Sequence, residues 1–226
     1  PTGNFGNILA GYYAMKMGVP VNKLICASNS NNVLTDFINS GTYDKNRKFF
    51  TTVSPSMDIL ISSNLERLIY DLCGKDDKTV ATLMKELAEN GKYTVSDDVK
   101  SKINDLFVGG CCSDEETLAT IKSTFDKYNY LCDTHTAVAV KVYEDYYKKT
   151  GDLTKTVIVS TASPYKFASS VIEALGEKCE LAAIQDGARP LVSWQLIDRV
   201  VRAAHSHHAA IPVIPVKDTI KVCNSA

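Results

Sequence analysis

Two short runs, KLICAS at 23–28 and KTVIVS at 155–160, constrain the fold of this chain most strongly. In each, apolar residues follow one another without the alternation of a half-exposed strand. A continuous apolar run too short for a helix suits a strand buried on both faces. Such strands need helices to cover them, so the chain reads as α/β.

The segments between and around these runs carry helical spacing. Ile8, Leu9, Tyr12, Met15 and Met17 space a first helix, which Gly18 and Pro20 stop. Residues 31–41 predict a second, ending near Gly41. One helix is expected over 56–73, with Leu60, Leu65, Leu68 and Ile69 on its apolar side, and another over 77–91, closed by Gly91. In 113–130, Ser113 and Glu116 have the spacing of a capping box. Residues 134–151 end in Lys148, Lys149 and Gly151, the charge and cap of a helix C-terminus. A helix over 161–176 has Ser163 as its cap and Pro164 at its first position. Past Gly176 the character changes: strands are expected at 181–185, 209–216 and 218–223, around a helix at 193–207. No internal repeat or low-complexity linker interrupts this order.

Composition narrows the function classes. The chain has 226 residues, 45% of them apolar, and a formal net charge of −1, an ordinary soluble globular balance. That charge gives no electrostatic footprint for nucleic acid or anionic lipid. No apolar run reaches membrane-spanning length and no basic-then-apolar leader opens the chain, so it reads as cytoplasmic. Seven cysteines, irregularly spaced, argue against a disulfide framework. His205, His207 and His208 form a cluster that reads either as metal ligands or as a polar helix end; no carboxylate or cysteine completes a ligand set there.

Two places carry chemistry. The opening PTGNFGN puts Gly3 and Gly6 where the backbone can turn tightly and approach a ligand. Asn7 then starts a helix, whose free N–H groups suit a phosphate; two glycines in a loop are also common without any ligand. At 155–161 a buried strand would deliver Ser160 and Thr161 at its C-terminal end, where open α/β sheets bind ligands. The alternative is that a hydroxyl there only caps the following helix.

Together, the opening loop through TDF at 37, SPSMDILISSNLERLIYDL, CSDEETLATIKSTFDKYNYLCDTHTAVAVKVYEDY and VIVSTASPYKF resemble the C-terminal portion of threonine synthase, a pyridoxal-phosphate enzyme of the tryptophan-synthase-β type. The resemblance runs over 1–176. It implies the three-layer open sheet of the fold-type II pyridoxal-phosphate enzymes, here incomplete, and conversion of O-phosphohomoserine and water to threonine and phosphate. It implies that Gly3, Asn4, Phe5, Gly6 and Asn7 hold the cofactor phosphate and that the Thr161 hydroxyl meets the pyridine nitrogen. A neutral hydroxyl there leaves that nitrogen unprotonated. Asn64 and Arg67 in SSNLER become candidates for the substrate phosphate, Arg67 through a bidentate contact, against a plainly solvated helix face. His135 in DTHTAVA either lines the site or is structural. The family's Schiff-base lysine belongs to a stretch before the phosphate loop. No lysine of this sequence takes its place, Lys166 included, so this chain alone is expected to be inactive, and a non-catalytic phosphate-binding remnant is the alternative reading.

Residues 180–226 resemble instead the middle of 2-C-methyl-D-erythritol 4-phosphate cytidylyltransferase, a Rossmann-like α/β family. On that resemblance Asp186 in DGARP helps hold Mg²⁺ and CTP, with Arg189 beside it, and Thr219 in VKDTIK lies near the methylerythritol phosphate. A carboxylate at a strand's C-terminal end is a sound Mg²⁺ ligand for triphosphate chemistry. The family's glycine-rich CTP loop is not in this sequence. The expected organisation is therefore 1–176 as threonine-synthase-like domain and 177–226 as partial cytidylyltransferase-like segment, joined near 177–180. Incomplete domains would expose apolar surface. The oligomeric state is not legible.

Overall fold

The computed structural model of the chain describes residues 1–176, 193–207 and 210. The chain divides into two compact units, Pro1–Glu177 and Lys178–Ala226. The first opens with α1 (Gly6–Lys16), β1 (Leu24–Ser28), α2 (Val33–Ser40) and β2 (Thr42–Asp44). It continues with α3 (Leu65–Leu72), α4 (Asp77–Asn90), β3 (Lys92–Thr94), α5 (Asp97–Leu106) and β4 (Phe107–Cys111). Three helices close it, α6 (Asp114–Tyr128), α7 (Thr134–Thr150) and α8 (Ala168–Leu175). In the second unit the described residues form α9 (Trp194–His207).

β1 is the buried strand that its apolar run predicts. It lies parallel to β4, with Leu24 opposite Phe107 and Ser28 opposite Cys111. Two glycines of β4 explain how helices close on both faces of this pair. A Cβ at Gly109 would sit 3.0 Å from the Thr35 Cα of α2, and one at Gly110 would sit 2.6 Å from the Val142 Cγ1 of α7. Successive residues of a strand face opposite ways, so α2 covers one face and α7 the other. β2 and β3 form a separate antiparallel pair, with Tyr43 and Tyr93 stacked at 5.4 Å between ring centroids. The largest core cluster joins Phe5, Leu9, Cys26, Phe37, Leu68, Ile103 and Phe107 from six elements and the opening loop.

The helix ends follow local chemistry closely. Ser113 and Glu116 make the reciprocal capping box, Asp76 and Ser96 cap α4 and α5, and Gly41, Gly91 and Gly151 end their helices at φ 78°, 73° and 66°. β2, α5, β3 and β4 were not expected from the sequence; β2 and β3 are three residues each, and the glycines of β4 suppress its strand signal.

Three expectations need correction. Residues 56–73 are not one helix: a 3₁₀ turn at Pro55–Met57 precedes α3, and the chain between is drawn out by tertiary hydrogen bonds. Among these the Asp58 carboxylate accepts from Thr52 N at 2.9 Å and the Ser62 N–H donates to the Tyr43 hydroxyl at 2.8 Å. Residues 155–160 form no strand; they have no pairing partner among the described residues, and Val157 and Val159 are 85% and 56% exposed. The helix expected over 161–176 splits into a 3₁₀ turn, Pro164–Phe167, and α8, with no cap bond from the Ser163 side chain. The strands expected at 181–185, 209–216 and 218–223 lie outside the described residues.

Candidate functional site

The opening loop is pinned from two sides. Thr2 N donates to Ala27 O of β1 at 3.1 Å, which lays the loop along the C-terminal end of that strand. Phe5 adopts the left-handed conformation at φ 60° and is fully buried, its ring 5.7 Å from that of Phe107. A left-handed non-glycine residue costs about 1–2 kcal/mol, and burial of a phenyl ring offsets it. Phe5 is therefore the anchor that holds the turn, with its side chain in the core.

Between these pins the backbone is packed against two neighbouring segments. A Cβ on Gly3 would come within 2.9 Å of both the Met57 Cα and the Ser56 carbonyl oxygen, so only glycine fits there. The Asn4 Oδ1 accepts from the Ser63 N–H at 2.7 Å and from its hydroxyl at 2.9 Å, while Asn64 Nδ2 donates to the Asn4 carbonyl at 2.6 Å. The segment carrying Ser56 and Met57 is held by a part-buried network centred on Asp58. Its carboxylate takes the Thr52 hydroxyl at 2.7 Å and the amides of Asn29 and Asn31 at 2.8 and 3.0 Å.

These contacts frame a cavity of about 230 Å³ lined by Pro1, Thr2, Gly3, Asn4, Gly6 and Asn7 from the loop, Ser56, Met57, Asn64, His135 and Thr161. Residues far apart in sequence thus meet at one place. Phe5 is not in the lining, and Arg67 lies exposed on α3 outside it. Asp186, Arg189, Thr219 and His208 lie outside the described residues. Pro1, Thr2, Ser56 and Met57 join the lining without having been picked out in sequence. Thr2 could have been found as the hydroxyl next to Gly3; Ser56 and Met57 have no local signal, since only the tertiary fold brings them under the loop.

His135 is buried at the first turn of α7, with both ring nitrogens engaged. Nε2 accepts from the Ser56 N–H at 3.1 Å, and Nδ1 lies 3.3 Å from the Asp133 Oδ1. Asp133 also caps α7, accepting from the His135 and Thr136 N–H groups at 2.8 and 3.2 Å. Burial alone would push its carboxyl up; the hydrogen bonds from His135 and Thr136 outweigh this and hold it below the usual carboxylate range. The described cysteines are free thiols, and burial raises Cys26 to about 12 and Cys112 to about 11. At neutral pH these two are protonated and do not act as nucleophiles.

The cavity fits an anion on observations of its own. No side chain caps the N-terminus of α1, and its first two residues, Gly6 and Asn7, line the cavity. Beside them the Thr2 hydroxyl is buried without a hydrogen-bond partner, a state that costs about 1–3 kcal/mol if nothing fills it. A phosphate would accept from both.

Comparison with known proteins agrees on the family resemblance. The chain is 47% identical over 177 residues to threonine synthase-like 1 of Macaca fascicularis, covering 77% of this chain and 23% of that protein. The crystal structure of yeast threonine synthase superposes with a TM-score of 0.75 at 37% identity, over 88% of this chain and 41% of that one. The PLP-bound threonine synthase of Brucella melitensis gives 0.71 at 40% identity, over 81% and 39%. The chain therefore spans a quarter to two fifths of the proteins it resembles. The family model described as 2-C-methyl-D-erythritol 4-phosphate cytidylyltransferase matches residues 133–226. Across 77% of its length, then, this is threonine-synthase-like sequence in an α/β fold that superposes on solved threonine synthases.

Proposed function

We propose that the cavity is the phosphate end of a pyridoxal-phosphate site, and that the chain serves the threonine-synthase reaction, O-phosphohomoserine and water to threonine and phosphate. The observation that carries this reading is the unpartnered Thr2 hydroxyl beside the uncapped start of α1, in a cavity that Thr161 also lines. Gly3, Asn4, Gly6 and Asn7 bind the phosphate through the loop, and Phe5 fixes the loop from the core. Thr161, which also lines the cavity, would offer a neutral hydroxyl to the ring nitrogen. When bound, pyridoxal phosphate supplies an electron sink, and a neutral partner at its nitrogen suits elimination and replacement chemistry. Asn64 orients the loop from beside the cavity, while Arg67, on the exposed face of α3, is free to meet the phosphate of a substrate. No lysine is among the residues lining the cavity, so this reading gives the chain the holding and orienting of the ligand. The fuller architecture of this reading is the three-layer sheet of fold-type II enzymes.

Pyridoxine 5′-phosphate, which lacks the aldehyde and cannot react with surface lysines, tests it by fluorescence titration. Binding should exceed that of pyridoxine by tenfold or more, about 1.4 kcal/mol, and should fall toward the pyridoxine level in Thr2→Val. Equal affinity for the two ligands overturns the reading.

The match of residues 133–226 to the cytidylyltransferase model favours a second reading. On it Asp186 holds Mg²⁺ and CTP, with Arg189 and Thr219 nearby, and Mg²⁺-dependent CTP binding is lost in Asp186→Ala. Calorimetry showing no Mg²⁺-dependent CTP binding removes it.

A further inference from the structure

The wall beneath the phosphate loop rests on one imidazole. Gly3 lies directly on the Ser56–Met57 peptide, at a separation that leaves no room for a methyl group. The Ser56 N–H does not bond within its own 3₁₀ turn; it donates across the fold to His135 Nε2, 3.1 Å away and 79 residues on in sequence. On its other side the ring faces the fully buried Asp133 carboxylate at 3.3 Å. Phe167 covers the ring, the centroids 4.6 Å apart, and Phe167 ends the 3₁₀ turn that follows Thr161.

We infer that His135 is a positioning residue, a neutral imidazole locked in the Nδ1–H tautomer that sets the height of the loop floor. The assignment follows from what each partner can do. A backbone N–H only donates, so Nε2 must present its lone pair to Ser56. The remaining proton then sits on Nδ1, which lies 3.3 Å from both the Asp133 carboxylate and the Thr134 hydroxyl, and those contacts keep the ring from turning over. The position demands a side chain with an acceptor on one edge and a donor on the other. A carboxylate here would bury a second negative charge against Asp133. An aliphatic residue would leave the part-buried Ser56 N–H without its acceptor and remove one contact of the buried Asp133 carboxylate. The same ring bears on Phe167, so it links the loop floor to the segment that brings in Thr161. With both nitrogens committed to protein partners, His135 shapes the cavity it lines and leaves ligand contacts to the loop.

The role in ligand affinity rests on the phosphate-site reading, but the ring's state and its hold on the loop do not, and the experiment separates them. In the ¹⁵N-labelled chain, without ligand, long-range ¹H–¹⁵N spectra should show a pyridine-like Nε2 and a pyrrole-like Nδ1 for His135. The Gly3 and Met57 amide resonances should move in His135→Ala. They should return close to their wild-type positions in His135→Gln, whose Oε1 reaches to accept from Ser56. Pyridoxine 5′-phosphate affinity should follow the same order, near wild type in the glutamine variant and tenfold or more weaker in the alanine variant. A pyrrole-like Nε2, or a glutamine variant as perturbed at Gly3 as the alanine one, overturns the inference. Should wild-type protein bind no pyridoxine 5′-phosphate, the cofactor reading fails, and the ring and amide spectra still decide the role of His135. If the alanine variant does not fold, the wild-type ring spectrum together with the glutamine variant decides it.

Discussion

KLICAS and KTVIVS look alike on paper and end in different states. The first becomes β1, with Cys26 fully buried, β4 hydrogen-bonded along one edge and helices on both faces. The second runs extended with its valines in solvent, although Ile158 packs partly against the cluster around Val138 and Val142. Its hydrogen-bond tie to α7 is the 3.0 Å contact between the Ser160 and Thr136 hydroxyls. An apolar run states that a segment profits from burial; whether burial follows depends on a partner with matching backbone groups. The threonine synthases it superposes on are more than twice as long as this chain's match, which covers 39% and 41% of them.

That contrast sets a scale for mutation. Cys26→Asp should have the largest effect, since it places an unpaired charge in the two-sided core; a loss of about 4 kcal/mol or more in chemical denaturation is expected. A loss below about 1 kcal/mol would mean that β1 is not packed as described. Asp133→Asn should come next, at about 2 kcal/mol near neutral pH, because charge-assisted hydrogen bonds at the start of α7 are lost. Its pH dependence has a definite sign. The carboxyl is held below its ordinary value in the folded chain, so its stabilisation is complete above the unfolded value of about 4 and disappears as pH falls through the lower folded one. Denaturation curves of wild type and Asp133→Asn should therefore converge in acid; a gap that stays constant down to low pH contradicts this account. Val157→Asp should have the smallest effect, within about 0.5 kcal/mol. A large loss there would show that 155–160 is covered after all.

The site follows the same division. Gly3, Gly6 and Asn7 were legible because a glycine turn entering a helix has a local geometry that suits an anion. Thr161 was legible from its place after an apolar run, even though that run is not a strand. Asn64 and His135 were visible only through family resemblance, as their neighbours in sequence do not lead to the cavity. Met57 and Ser56 were invisible, and so was the Asp58 network that places them, because each of its hydrogen bonds joins segments whose separation the local pattern does not encode. Arg67, a charge well suited to phosphate, lies exposed on α3 outside the lining, a placement that its local pattern does not carry.

By itself the sequence determined the helix ends at Gly41, Gly91 and Gly151, the capping box at Ser113, the α/β class, the buried nature of β1 and the glycine turn that leads into α1. These depend on caps, glycine conformations and apolar runs, which act over a few residues. Only the tertiary structure decided that residues 56–73 break before α3, that β4 pairs with β1, that 155–160 has no strand partner among the described residues, and that His135 reaches across to Ser56. Those outcomes depend on which distant backbone groups are within hydrogen-bond distance, and no local pattern carries that. For the opening loop, short-range chemistry makes the turn, and the floor it rests on is set by a histidine more than a hundred residues away.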